Sequence, residues 1–232
     1  MTYEELVDFA ASVRGFLPVS EGRALSAHGR RRGRERPGGT WLEVGAWCGR
    51  STVFLGAAAR ESGSVLYSLD HHHGSEEQQA GWEHFEADLV DQADGRINTL
   101  PTWQRTVADA GLESVVVGLV GPSAVVAEHF AQPLDLLFVD GGHGEEVASA
   151  DYHGWVPHLV PGGLLAIHDV FPDPHDGGRP PYEIYQAALA AGFVEDDAVG
   201  SLRVLRRGAP AAGLGPVDRA PERVGVEEGR GA

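Results

Sequence analysis

Two groups of residues have the types and the spacing to do chemistry. The first is built from carboxylates and imidazoles: Asp140, His143, His168 and Asp169. Asp140 closes the apolar run Leu134-Asp-Leu-Leu-Phe-Val-Asp140, and His168-Asp169 closes Leu164-Leu-Ala-Ile167, so both acids are expected at strand ends. Neighbouring strands lie about 4.8 Å apart, and two carboxylates that close repel. They need a proton, a cation or hydrogen-bond donors between them. A divalent ion such as Mg²⁺ held by Asp140, His168 and Asp169 would satisfy them and polarise a hydroxyl or diol. His143 or His168 could take the hydroxyl proton, since imidazole titrates near neutrality. The plainer expectation has Asp140 anchoring a helix N-terminus and His168 as a hydrogen-bonded core residue.

The second group surrounds Thr40-Trp-Leu-Glu-Val-Gly-Ala-Trp-Cys-Gly-Arg-Ser-Thr52. An apolar strand ends at Gly45, a turn runs to Gly49, and a helix opens near Ser51. Glycine lets the backbone approach a ligand where a Cβ would collide, and the free N–H groups of the new helix favour an anionic group. The pattern is E-x-G-x-x-x-G, not the G-x-G-x-x-G of dinucleotide binders. About 20 residues further on, Asp70 ends a second strand, where a carboxylate can bind both hydroxyls of a ribose. His71-His-His73 follows; on an extended chain His71 and His73 share a side, and one of them is a candidate for the cofactor mouth. Trp82, Phe85 and Leu89 recur at helical spacing and are expected to pack in a helix over Glu76 to Val90.

These groups need elements to hold them. Strand and helix patterns alternate from Thr40 onward, which implies a parallel sheet with helices on both faces. The run from Ser114 to Val120 reads as a buried third strand, and Gly121-Pro-Ser123 opens a helix with Ser123 as a cap candidate. Pro161-Gly-Gly163 turns the chain into the fifth strand, and Gly200 turns a terminal hairpin. The expected organisation is an N-terminal helical arm with an exposed Arg-rich linker over 1–39, one domain over 40–207, and a disordered tail over 208–232.

With D-G-x-H after the fourth strand, D-x-x-x-W from Asp151 to Trp155, P-G-G and H-D, the chain resembles the class I S-adenosylmethionine (SAM) methyltransferases. Within them it is similar to a bacterial group of sugar and natural-product O-methyltransferases, some of whose relatives depend on Mg²⁺. The resemblance covers Thr40 to Arg206. It implies a Rossmann-like α/β fold with a seven-stranded, mostly parallel sheet and an antiparallel last strand. It places Glu43, Gly45, Gly49 and Ser51 at the methionine end of SAM, Asp70 at the ribose, and Ser123 at the adenine. It places Asp140 at the cofactor and metal, and His143, His168 and Asp169 at a hydroxyl acceptor. His168-Asp169 stands where catechol-type relatives carry Asp-Asn.

Composition narrows the partners. A net charge of −16 disfavours a nucleic-acid backbone and leaves a small-molecule acceptor as the expected partner. All 18 basic residues are arginine, so Schiff-base and P-loop lysines are excluded. The single cysteine, Cys48, allows no intrachain disulfide. No run is long and apolar enough for a membrane span and no signal peptide is visible, so a cytoplasmic protein is expected. The amphipathic segment Thr2 to Arg14 packs on the domain or on a second subunit, making a homodimer a hypothesis. A metal-dependent hydrolase or hydroxylase, and a non-catalytic SAM- or nucleotide-binding protein, remain the rival readings.

Overall fold

The computed structural model describes residues 1–82, 84–142, 144–173 and 175–208. Five strands run parallel: β1 (Thr40–Val44), β2 (Val65–Asp70), β3 (Val116–Val120), β4 (Leu134–Val139) and β5 (Leu159–Ile167). A terminal hairpin, β6 (Val194–Val199) and β7 (Leu202–Arg206), joins β5 through an antiparallel β7. The seven strands lie in the order β3-β2-β1-β4-β5-β7-β6. This is the expected Rossmann-like sheet. Its order reverses between β1 and β4, where ligands gather beyond the strand ends in such sheets.

Side chains alternate across the sheet and bury both faces. On β4, Leu136 and Phe138 join one core while Leu134, Leu137 and Val139 join the other, which is why that strand reads as an unbroken apolar run. One face is covered by α1 (Tyr3–Ser12), α2 (Val19–Glu35), α3 (Arg50–Ser62) and α4 (Leu100–Ala110). The other carries α5 (Ser123–His129), α6 (Glu145–Trp155) and α7 (Arg179–Ala190). Among the described residues no helix is long and apolar enough to cross a membrane.

The Arg-rich segment is not a linker. It is the second half of α2, and its glycines are there for space. A Cβ on Gly22 would collide with Phe54, and one on Gly33 with Ser62, so the small face lets α2 press onto α3. Arg32 is buried and donates to Asp135 Oδ1 at 2.8 Å, while Arg30 binds Glu61 and Arg31 binds Asp196. Leu6, Val7 and Ala10 of α1 are spent in the same core, which removes the sequence argument for a homodimer.

Three further expectations change. Among the described residues of 76–90 the helical structure is limited to short 3₁₀ turns at Glu76–Gln78 and Ala87–Leu89, with Gly81 at φ +96° between them. Trp82 is exposed there, whereas Leu89 is buried against Cys48 and Ile97. Strand β3 is an edge, with Val117 and Val120 exposed; among the described residues no strand pairs beyond it. Pro161-Gly-Gly163 lies inside β5, where the pairing with β4 shifts register. His143 and the tail expected from 209 lie outside the described residues.

Candidate functional site

The site is built at the switch point from the ends of β1, β2, β4 and β5. Among the described residues, the non-glycine positions with positive φ are Trp47 (+47°), His72 (+62°) and Asp169 (+56°). Each follows the end of one of these parallel strands. Left-handed backbone at non-glycine residues is strained and gathers at functional sites.

After β1, Gly45 has φ +90°, and a Cβ there would strike the carbonyl of Asp140. Only glycine lets the turn sit against the end of β4. The Asp140 N–H donates to Val44 O at 2.9 Å, so the two strand ends are tied together. Gly49, at φ +97°, is the left-handed cap from which α3 starts, and Ser51 is buried in its first turn. Beneath the turn Glu43 is fully buried, and its Oε2 accepts from Thr52 Oγ1 and Ser68 Oγ, both at 2.7 Å. Burial pushes its carboxyl up to about 7, against the opposing pull of the hydroxyls of Ser51, Ser68 and Thr52. Oε1 of Glu43 is buried with no hydrogen-bond partner among the described residues, which fits an incoming cationic or N–H donor. Cys48, next in the turn, is buried and its thiol is pushed up to about 12 by burial, so it is no nucleophile.

Asp70 holds the same turn from β2. Its Oδ2 accepts from the N–H groups of Ala46 (2.9 Å) and Trp47 (2.8 Å), and Oδ1 from His72 N–H (2.7 Å). The carboxylate therefore shapes the loop, with both positions on Oδ2 taken and one on Oδ1 left to accept from a ligand hydroxyl. His71 and His73 do share a side, their rings stacked at 6.1 Å, and the His73 N–H donates to His71 Nδ1. His72 points inward instead, its Nδ1 2.8 Å from Thr99 Oγ1, and burial lowers its pKa.

Across the switch point, Asp140 and Asp169 converge on His168. Nδ1 lies 2.8 Å from Asp140 Oδ1 and 3.2 Å from Asp169 Oδ2. Nε2 lies 3.0 Å from Oε2 of Glu21, a buried acid of α2, in an ion-pair contact whose N–H points off the ideal hydrogen-bond line. Burial alone would lower the pKa of His168, but the carboxylates of Asp140, Asp169 and Glu21 override it and push it up to about 12. While those carboxylates stay ionised the ring favours its charged form, in which Nδ1 carries a proton rather than a free lone pair. Its place is between the acids. One donor atom each from Asp140, His168 and Asp169 lie within 4.8 Å of one another, a set able to hold a metal ion. Two carboxylates with an imidazole suit Mn²⁺, Fe²⁺ or Zn²⁺ better than Mg²⁺, which favours oxygen alone.

Ser123 does not cap α5; it is the first helical residue, and its Oγ accepts from Trp155 Nε1 at 2.8 Å. Asp151, buried one turn before Trp155, is pushed up to about 6 by burial, with Ser123 pulling the other way. A Cβ on Gly141 would crowd the Asp151 carboxylate, so D-x-x-x-W backs the turn after β4. Two residues were missed in the sequence. Arg50, inside the glycine motif, donates to the carbonyls of Val13 (2.7 Å) and Leu17 (2.9 Å), pinning the α1–α2 connection to the turn. Glu21 gave no motif signal at all.

Known proteins share this family and fold. A family model described as "Methyltransferase domain" matches residues 42–170. Among solved structures, an O-methyltransferase from Bacillus cereus in complex with SAH is 15% identical, with 88% of this chain and 90% of that chain covered and a TM-score of 0.58. An SAH-bound methyltransferase from Podospora anserina is 13% identical, with 89% and 88% covered and a TM-score of 0.62. The O-methyltransferase NovP is 13% identical, with 84% of each chain covered and a TM-score of 0.61.

Proposed function

The chain belongs to the methyltransferase-domain family and is a SAM-dependent methyltransferase of class I, and from that premise we propose that it methylates a hydroxyl of a small molecule. Membership sets aside the hydrolase and hydroxylase readings. A sugar, polyol or natural-product hydroxyl is the acceptor class. The observation that carries the oxygen assignment is the pair Asp140 and Asp169 converging beside the glycine turn, a place suited to orient and deprotonate a hydroxyl. The O-methyltransferases among its structural relatives support the same reading.

SAM, when bound, supplies a methyl group already activated on a sulfonium. The protein has to align donor and acceptor, exclude water and take one proton. Glu43, with its orphaned Oε1, and the turn from Gly45 through Gly49 to Ser51 would hold the methionine end. Asp70 would hold the ribose while keeping the turn in shape, with His71 at the rim. Ser123, fixed by Trp155, would border the adenine. Asp140, His168 and Asp169 would hold a divalent cation, which would take the place of the His168 Nδ1 proton and polarise the acceptor hydroxyl. With His168 engaged by carboxylates, the acceptor proton passes to Asp169 or His143.

The test is calorimetric titration with S-adenosylhomocysteine, with and without Mn²⁺ and Mg²⁺, repeated on Asp70→Ala. Micromolar binding of about −8 kcal/mol is expected. The variant should bind roughly ten- to a hundredfold more weakly, since it loses charged hydrogen bonds to the turn. Absence of heat in the wild type in every condition overturns the cofactor assignment. Formation of S-adenosylhomocysteine from SAM with a panel of sugars, polyols and phenols then tests the acceptor. Turnover confined to nitrogen or carbon nucleophiles would overturn the oxygen assignment.

A further inference from the structure

We propose that Glu21, on the N-terminal helix α2, is a positioning residue for the acceptor-side cluster, fixing both His168 and the strained Asp169 from behind. The inference rests on the reading of Asp140, His168 and Asp169 given above.

Glu21 lies outside the residues matched by the family model and far in sequence from every motif of the site. It is only 4% exposed, in the first turn of α2. Such a carboxylate is buried only where charge and hydrogen bonds compensate it. Here both oxygens are used. Oε2 faces His168 Nε2 at 3.0 Å and accepts from Ser201 Oγ at 3.1 Å, while Oε1 accepts from Ser201 N–H at 3.0 Å. Burial raises its pKa, but His168 and Ser201 outweigh that and hold it below the usual carboxylate range.

The contacts form two routes to one residue. The first runs through the His168 ring. With Glu21 against Nε2, the Nδ1 edge has one direction left, toward Asp140 and Asp169. The second runs through the hairpin. Ser201, held by Glu21, accepts through its backbone carbonyl from Val170 N–H at 2.9 Å. His168 and Val170 are the two chain neighbours of Asp169, whose φ is +56°. Glu21 therefore clamps the peptide on each side of the strained residue. Gly200 completes the fit, because a Cβ there would collide with the Glu21 carboxylate. In metal sites a carboxylate behind a histidine fixes its orientation, and loss of that partner weakens metal binding roughly ten- to a hundredfold.

The experiment uses the full chain and the variants Glu21→Gln and Ser201→Ala. Three readouts are taken: S-adenosylhomocysteine affinity by calorimetry, Mn²⁺ affinity by paramagnetic resonance, and the ring signals of His168 in isotope-labelled protein, assigned by through-bond correlation. Glu21→Gln should lower Mn²⁺ affinity about tenfold or more. It should also shift the His168 ring signals and speed exchange of its Nε2 proton, with S-adenosylhomocysteine affinity changed less than about threefold. Ser201→Ala, which removes only the hydroxyl donor, should move the same readouts in the same direction by less. If Glu21→Gln denatures the protein, Ser201→Ala and Glu21→Asp carry the test. Unchanged His168 signals and unchanged Mn²⁺ affinity in folded variants overturn the proposal. So does a parallel loss of S-adenosylhomocysteine and Mn²⁺ binding, which a merely structural role would give. If the wild type binds S-adenosylhomocysteine but no Mn²⁺, the metal reading fails, and the His168 signals alone decide the role of Glu21.

Discussion

Glu43 and Glu21 are the same residue type at nearly the same depth, 0% and 4% exposed, and they ionise in opposite directions. Glu43 sits beneath the glycine turn among hydroxyls, and burial lifts its carboxyl to about 7. Glu21 sits behind Asp140 and Asp169 against His168, and its carboxyl is held below the usual range. Burial penalises both charges. A hydroxyl offers one neutral hydrogen bond, whereas an imidazolium adds a full opposite charge where screening is weak. The partner decides the charge: Glu43 keeps its proton well above the usual carboxylate range, while Glu21 is ionised beside His168.

The strongest way to break this comparison is to remove the cation. His168→Gln leaves Glu21, Asp140 and Asp169 facing one another, and breaking a buried pair costs about 3–5 kcal/mol. Urea unfolding near neutral pH, with chelator present, measures it. A loss under about 1 kcal/mol would mean that the imidazolium is not what holds these acids.

The pH dependence sharpens it next. Glu43 is raised on folding, so its contribution is full below 4.5 and is lost as pH rises through about 7. Stability in that window should fall by about 3 kcal/mol. Glu21 is lowered, so its contribution is full above 4.5 and is lost as pH falls through its folded value. Glu43→Gln should flatten the slope above 4.5 and leave the acid limb in place. Unfolding free energies taken across the pH range check this, and a slope that survives in Glu43→Gln contradicts the assignment.

The smallest effects come from single hydroxyls. Near pH 6, Ser201→Ala removes a donor from an ionised acid and should cost about 2 kcal/mol. Ser68→Ala removes one from a mostly neutral acid and should cost about 1 kcal/mol. Equal costs, or the reverse order, would place the charge on the wrong glutamate.

The two sides also differ in how far they could be read from the chain. Glu43, Gly45, Gly49 and Asp70 lie within short spans, where local geometry forces a residue type: only glycine lets the β1 turn meet the Asp140 carbonyl. The pairing of Asp140 with His168-Asp169 followed from strand alternation, and the register confirms it, with Val139 opposite Ile167. Residues 29–35 misled because arginine and glycine ordinarily mark exposed linkers. Here the arginines find acids from other elements and the glycines supply a close-packing face. The helix expected over 76–90 failed for a related reason: a spacing of apolar residues does not require them to be buried together, and Trp82 is not.

By itself the sequence determined the strand and helix order, the glycine turn with its acid below, and two acids at neighbouring strand ends. Each of these is set by local propensity or by a period of side-chain burial, and both are carried within a few residues. Only the tertiary structure decided that His168 is flanked by carboxylates on both edges, that Asp70 binds the turn, and that a helix before the domain's first strand supplies Glu21. Ionisation and orientation depend on which charges lie within a few ångströms in space. Glu21 and Ser201, 180 residues apart in the chain, are brought together only by folding.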